Sequence, residues 1–594
     1  MGKQKSQSQS LLSGAMLLMM TTIIVHVVGV IYKIPITAII GTVGRGYFTT
    51  AYEIYTPLYA ISMAGLPVAV SKMVSERMAL KQFKEVRKIR AVVRKLYMAT
   101  GISGTLLLML LAYPYASYSK SVLAVYAIVA IAPSIFFCCM MSSYRGYYEG
   151  LRNMAPTGYS QLMEVIGKVI FGLILAKAVQ LKALSQYHDT GIVFGRECKD
   201  DAMFASIIGP YSAAAAIIGV TIGTILGLIY LQIRHRVVGD GITEQMLESS
   251  PEPIEGKEIA KQLIKLAVPV VTSSLVLNVT NLIDAITIQR RLSAAIIKNG
   301  DIIKNMYHTQ LTQSNIMDSD IKNFLYGAYG TALDFRTLIP TVIMTLGVSA
   351  IPVLSGAYAT KDHEKMSSAI ATVIKTATLI AVPTGFVMAV LAEPVLKILY
   401  VGTNAEASIS ITAPFVAVYG FFALVLSIST PITNMLQAIG RADVPVKSLL
   451  VGAILKIACN FTLVGIPSIN VKGAPVGTII CYFYIVSHNL YVLLKETGVK
   501  VNWMQVIVKP FVAGALAGAA SYGLYELFMM ILPAGIEGSR NANFTWATLI
   551  SVVMSVFVWV VLIFVTKTLD KNDILGLPKG KKIAKVLEKA RIIK

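Results

Sequence analysis

His26 and Lys33 lie inside the first long apolar run of the chain, where an ionisable side chain costs about 2.5 to 3.5 kcal/mol on insertion scales. With Thr22, Gly29 and Thr37 they recur at steps of four, three, four and four, so a helix carries them as one polar stripe along an otherwise Ile-, Val- and Met-rich segment. Such a stripe faces water or protein, and two basic groups about 10 Å apart along it suit an anion. A second stripe runs through Ser274, Asn278, Asn281, Asp284 and Arg291. On 159–181, Gln161, Glu164 and Lys168 share a face, with Glu164 and Lys168 in the favourable i, i+4 order for an ion pair. Asp334 and Arg336, two residues apart, point about 200° apart around a helix and cannot share a face, whereas Tyr329 falls on the Arg336 side.

Across the apolar runs His26, Lys33, Lys168, Arg336, Lys375 and Lys456 stand against Glu164, Asp284 and Asp334. A cationic surplus in hydrocarbon needs an anion, and a phosphate or pyrophosphate is the group that Arg and Lys recognise best. His26, Lys33, Arg336 and Arg45 are therefore expected to hold an anionic substrate group. Asp284, Lys456, Asp334, Glu164 and Lys168 are expected to serve gating or coupling. Tyr52, Tyr55, Tyr59 and Met63, near Glu53 and Arg45, have a spacing that suits stacking on sugar rings, but such spacing more commonly means core or interfacial packing.

The elements that position these groups are membrane helices. The chain has 594 residues, 55% hydrophobic and only 14% charged, with mean hydropathy +0.67. Its apolar residues come in runs of about 20, enough to cross about 30 Å of hydrocarbon. The expected fold is an all-α polytopic membrane protein with about fourteen transmembrane helices: 12–40, 52–74, 97–113, 122–143, 159–181, 205–231, 263–289, 324–350, 367–392, 409–436, 448–466, 473–494, 508–532 and 544–566. An even number returns both termini to one side. The loops on that side (75–96, 144–157, 232–262, 355–366, 437–447 and 495–507) and the termini collect about thirty Lys and Arg, against about a dozen opposite, so both termini are expected in the cytoplasm. The net charge of +22 is thereby accounted for as a topology signal, without a nucleic-acid partner. The segment 75–95 reads as a basic helix on the inner surface, a design repeated in the tail.

The polar 1–10 followed by a long apolar run without a small-residue cleavage site reads as an uncleaved first span. Five cysteines, four of them in apolar runs, give neither a disulfide framework nor metal spacing. No GxxxxGK[ST] motif suggests ATP, and Asp318-Ser319-Asp320, the one acidic triplet resembling a sugar-transferase metal site, falls in an expected outer loop. No cofactor, no metal and no enzyme activity is expected.

A weak internal repeat relates AGLPVAVS (64–71) to SAIPVLS (349–355) and GLRNMAP (150–156) to GRADVP (440–445). It implies two pseudo-symmetric six-helix lobes, 1–240 and 241–497, followed by two additional transmembrane helices in 498–566 and a basic cytoplasmic tail, 567–594. Parallel repeats place a site between them near the midplane. GALAG at 514–518 is a close-packing signal in the added pair.

VVGVIYKIPITAIIG, YEIYTPLYAISMAGLPVAVSKMVSE, YRGYYEGLRNMAPTGYSQLMEVIGK, DAITIQRRL with LYGAYGTALDF, and LQAIGRADVPVKSLLVGAILKIACN together resemble one family. It is the stage V sporulation protein B and MurJ-type lipid II flippase branch of the multidrug/oligosaccharidyl-lipid/polysaccharide exporter superfamily. The resemblance implies a two-lobed transporter that moves an undecaprenyl-pyrophosphate-linked glycan across the bacterial cytoplasmic membrane by alternating access. It also implies a cationic central cavity and a groove for the lipid tail at the last two helices. His26 and Lys33 resemble the family's basic first-helix positions, and the Asp334/Arg336 region its basic eighth-helix segment. The expected partners are a polyprenyl-pyrophosphate-linked glycan, membrane lipids and cell-wall synthesis enzymes. Export of another lipid-linked repeat unit such as teichoic acid or capsule, cation-coupled drug export, and a scaffolding role in wall synthesis stand as alternatives.

Overall fold

The computed structural model describes residues 11–60, 66–532, 543–566 and 568, with side chains at 11–16, 19, 66, 269–270, 272–277, 345–350 and 352 left out. The polar N-terminus, Met63, the side chain of Ser274 and all of the basic tail but residue 568 lie outside the described residues.

The protein is an all-α polytopic membrane protein, as the apolar runs imply. It divides into two compact units, one of Met1–Gly330 with Asn460–Val471 and the other of Thr331–Cys459 with Lys472–Lys594. The first unit contains α1 (Leu11–Ala60), α2 (Leu66–Ala79), α3 (Phe83–Tyr118), α4 (Val125–Gly150), α5 (Ala155–Thr190) and α6 (Asp201–Val238). The short α7 (Glu244–Glu248), then α8 (Gly256–Met306), α9 (His308–Gln313) and the first ten residues of α10 (Ile321–Ala359) complete it. The second unit takes the rest of α10 and α11 (His363–Val390), α12 (Ala392–Tyr400), α13 (Ile409–Phe421), α14 (Ala423–Ala438) and most of α15 (Asp443–Leu463). It closes with α16 (Gly473–Thr497), α17 (Lys509–Ile531) and α18 (Asn543–Val565). A two-residue hairpin, β1 (Ile192–Val193) with β2 (Arg196–Glu197), joins α5 to α6.

The helix ends are written locally. Asp200 caps α6 by accepting the Met203 amide at 2.8 Å, and Asp362 caps α11 through the Lys365 amide at 3.0 Å. Asp362 also takes the Lys365 ammonium, which holds its carboxyl below the usual range. Gly191 and Gly498, both at positive φ, close α5 and α16.

Nine described helices are long and apolar enough to cross a membrane, or ten if α13 and α14, bent 51° at Phe422, make one span. The expected count of fourteen is thus not reached among the described residues. The first expected span and the start of the second are one element, α1, interrupted at Gly41 (φ 70°, ψ 174°). The expected basic surface helix 75–95 is likewise corrected. The chain turns between α2 and α3 with Lys81 at φ 57°, Arg77 reaches Glu85 at 2.7 Å across the turn, and 83–95 are the opening turns of α3.

Glycines set the closest helix contacts. A Cβ on Gly219 would strike the backbone of Gly172, and one on Gly223 the Glu164 carbonyl, so α5 and α6 meet backbone to backbone. In the second unit a Cβ on Gly514 would lie 2.7 Å from Val382 Cγ1 and one on Gly518 2.5 Å from Phe386 Cβ, so the GALAG segment packs α17 onto α11 as expected.

Candidate functional site

The first half of α1 presents two exposed faces with different chemistry. Met20, Ile24, Val27 and Ile31 form an apolar stripe, with Met20 62% and Ile31 57% exposed. His26 is exposed, Thr22, Gly29 and Lys33 are half-buried, and a Cβ on Gly29 would meet no atom within 4 Å. At 100° per residue these two stripes are centred about 160° apart. Between them Thr21 and Tyr32 are buried, and Tyr32 donates to the Ala216 carbonyl at 3.3 Å across Gly172. One side of the helix is therefore fit for hydrocarbon and the other for water.

His26 Nδ1 lies 2.8 Å from the Thr22 carbonyl, so this nitrogen carries the hydrogen and Nε2 is the outward edge of the ring. Thr22 approaches Gln161 on α5 at 3.5 Å, which sets the α1 stripe beside the polar face of α5. Lys168, two turns along that face, holds its ammonium 5.2 Å from the Tyr32 ring centroid and 5.6 Å from that of Tyr52. Glu164 pairs with Arg145 of α4 at 3.0 Å, where the i, i+4 order pointed to Lys168. Arg145, only 3% exposed, is fixed further by donating to Ser160 Oγ at 2.8 Å. The basic groups on this side are thus His26, Lys33 and Lys168, while Glu164 is engaged by a buried guanidinium.

The tyrosines continue this wall as a packed ladder. Phe48 and Tyr52 stack at 4.8 Å, Tyr52 and Tyr55 meet at 6.0 Å, and Tyr55 and Tyr59 at 5.3 Å. Tyr55 is buried, in keeping with packing as the commoner use of such spacing.

Arg45 stands elsewhere. It is 3% exposed, lies 5.1 Å over the Phe48 ring, and donates to the Gly330 carbonyl at 3.1 Å. It belongs to a seam in which the second half of α1 meets the start of α10: a Cβ on Gly46 would strike the Asn323 carbonyl, one on Gly327 the Thr42 carbonyl, and one on Gly330 Thr49 Oγ1. Thr42, Gly46 and Thr49 face Asn323, Gly327 and Gly330 at matching steps of four and three, the spacing that lets two backbones approach. Asp284 is also buried in the first unit and accepts from the Asn460 amide.

Three predicted site residues lie in the second unit. Arg336 is half-buried with its guanidinium 5.9 Å over the ring of buried Tyr419, while Asp334 and Lys456 are buried, at 7% and 4% exposure. Asp334 and Arg336 indeed differ in environment, as their spacing requires.

Residues 11–187 match the family model described as polysaccharide biosynthesis protein, and residues 324–462 match the MatE model. Stage V sporulation protein B of Bacillus subtilis (strain 168) is 22% identical over 87% of this chain and 91% of its own length. The lipid II flippase MurJ of the same organism is 24% identical over 83% of this chain and 84% of its own. The chain belongs to the multidrug/oligosaccharidyl-lipid/polysaccharide exporter superfamily, in its stage V sporulation protein B/MurJ-type branch. Among solved folds this exporter-superfamily chain is similar to an inward-facing multidrug resistance MATE family transporter, with TM-score 0.60, 13% identity, and coverage of 82% of this chain and 99% of that one. It is also similar to lipid II flippase MurJ in an inward closed conformation, with TM-score 0.57, 14% identity, and coverage of 93% and 98%.

Two residues of this exporter escaped the sequence reading. Arg145 sits in YRGYYEG, which looks like a cytoplasmic loop, yet α4 runs on to Gly150 and buries it. Lys322 falls in the expected outer loop 291–323 but opens α10 and is 6% exposed. Continuation of the helical apolar pattern past each charge was the available signal.

Proposed function

We propose that the protein is a carrier, not an enzyme, that moves a polyprenyl-pyrophosphate-linked cell-wall precursor, lipid II-like, across the bacterial cytoplasmic membrane by alternating access between two six-helix lobes, 1–240 and 241–497. Both termini are cytoplasmic in this reading, as the distribution of Lys and Arg favours. The observation that carries the proposal is the open cationic face of α1 and α5: His26, Lys33 and Lys168 line a side that is not the lipid side, and Glu164 is already neutralised by Arg145. A pyrophosphate is the group that such basic side chains recognise best, and Arg336 is a basic group of the second lobe. Arg45 reaches the head only when the seam of Gly46 and Gly327 parts. Asp284, Asp334 and Lys456, all buried, serve coupling or gating, as does the Glu164–Lys168 face. The names of the relatives, a lipid II flippase and a sporulation protein, support the substrate class.

The test is depletion in a bacterium that lacks other flippases. Outward exposure of lipid II falls if the proposal holds, and unchanged exposure overturns the substrate. Exchanging His26→Gln together with Lys33→Met abolishes complementation at normal expression; full activity of that variant removes the site assignment. A second reading, export of another lipid-linked polysaccharide repeat unit, is favoured by the polysaccharide biosynthesis model over 11–187. Measuring which lipid-linked intermediate accumulates on depletion separates the two. Transport by purified protein in liposomes distinguishes both from a scaffold that recruits wall-synthesis enzymes.

A further inference from the structure

The ends of α3, α4 and α6 that carry the basic loops 75–96, 144–157 and 232–262 meet in a cluster of tyrosines and arginines that the carrier reading does not use. The Arg90 guanidinium lies 5.6 Å from the ring centroids of both Tyr144 and Tyr147. Arg234 lies 4.9 Å over Tyr148, and the rings of Tyr147 and Tyr148 are 5.9 Å apart. Arg90 is half-buried, yet among the described residues it makes neither a hydrogen bond nor an ion pair. Arg234 Nη1 is buried without a hydrogen-bond partner.

The Asp240 carboxylate and the hydroxyls of Tyr147 and Tyr148 are engaged. Asp240 Oδ2 accepts from the Tyr147 hydroxyl at 2.9 Å, and Oδ1 accepts the Ile242 amide at 3.1 Å. The Tyr148 hydroxyl lies 2.7 Å from His235 Nδ1 and donates to the Gly239 carbonyl at 3.1 Å. The third arginine, Arg87, is spent on the Ile242 carbonyl at 3.2 Å and on Glu244 at 3.5 Å. Two guanidiniums are therefore held against aromatic rings, and both Arg90 and Arg234 Nη1 lack an acceptor among the described residues. A half-buried guanidinium left so is available to oxygen acceptors from outside the chain, and its planar fork matches phosphate oxygens.

The source of that phosphate is indicated by what lies beside it. Ile233 and Val237 flank Arg234 on α6 and are 57% and 78% exposed, an apolar surface for acyl chains next to a cationic site at a helix end. We propose that Arg90 and Arg234, mounted on Tyr144, Tyr147 and Tyr148, bind the phosphate group of an anionic phospholipid in the leaflet at this end of the helices. The site is independent of the His26 and Lys33 assignment.

The experiment measures lipid binding to the purified full-length protein in neutral detergent by its thermal shift. Phosphatidylglycerol, phosphatidylcholine, inorganic phosphate and inorganic pyrophosphate are titrated separately. Wild type shows a saturable rise in Tm with phosphatidylglycerol and little with phosphatidylcholine. Arg90→Gln with Arg234→Gln weakens apparent affinity by about tenfold or more, since charged hydrogen bonds are lost. Arg90→Lys, which keeps the charge but not the fork, weakens it partly and serves where the double variant folds poorly. Lys88→Gln with Arg94→Gln, which removes two other charges from α3, leaves it unchanged. Undiminished binding by the Arg90/Arg234 variant, or an equal loss in the Lys88/Arg94 variant, overturns the site. An equal response to phosphatidylcholine, or to phosphate or pyrophosphate alone, overturns the lipid assignment.

Discussion

The ammonium of Lys322 donates to the side-chain oxygen of Gln289 at 3.1 Å, and that same oxygen accepts the hydroxyl of Thr50 at 3.2 Å. Lys322 also donates to the carbonyls of Ser119 and Lys120, at 3.1 and 3.0 Å, so its three hydrogens are all used. One buried cation thus joins α10 to α8 and to the α3–α4 connection, and through Gln289 to α1. Beside it Asp320 accepts from Tyr47 at 3.2 Å, and burial pushes its carboxyl above the usual range.

Lys322→Met leaves the buried Ser119 carbonyl and the part-buried Lys120 carbonyl without this donor, and the Gln289 oxygen with Thr50 alone. Each such group costs about 1 to 3 kcal/mol, so a loss of about 3 kcal/mol is expected and Tm in detergent falls clearly. Gln289→Leu added to Lys322→Met costs less than Gln289→Leu alone, because the two act through one network; strict additivity in the double-mutant cycle refutes the coupling.

Gly327→Ala forces a methyl into the Thr42 carbonyl, and neither backbone can move aside. Overpacking of this kind costs about 1 to 3 kcal/mol, more than the roughly 1 kcal/mol that alanine gains over glycine in a helix. Gly356→Ala, in the same helix but with nothing within 4 Å of its Cβ, keeps only the gain. Thermal melts of the two variants should therefore move in opposite directions.

Glu164→Gln strands the Arg145 guanidinium, with an expected loss of about 2 to 3 kcal/mol, below the usual 3 to 5 because the Glu164 side chain is 22% exposed. Replacing both partners, Arg145→Met with Glu164→Leu, should recover most of that stability. If the double variant melts as low as the single, the loss came from packing and not from the orphaned charge.

Gly29→Cys and Ile31→Cys separate the two exposed faces of α1. The first should react with a charged, water-soluble thiol reagent above the background of the five native cysteines, and the second only with a membrane-permeant one. Equal labelling of both by the charged reagent removes the distinction between a wet and a lipid face.

The His26/Lys33 stripe was legible because periodicity is a local property, and a helix in hydrocarbon leaves few ways to place charges. The partner of Glu164 was not, because i, i+4 geometry offers Lys168 equally well and the choice of Arg145 depends on how α4 packs on α5. The apolar count omits α5, an expected span, because Gln161, Glu164, Lys168 and Lys177 dilute its hydropathy. The turn at Lys81 gave no Gly or Pro signal, so 75–95 read as a single basic helix.

Gly41 occupies a backbone region that only glycine enters at little cost; other residues pay about 1 to 3 kcal/mol there. Its consequence is mechanical. The charged half of α1 and the half that carries the glycine seam are two helical segments with separate registers, so the direction of the wet stripe is set at this one residue and not by the helix that forms the seam.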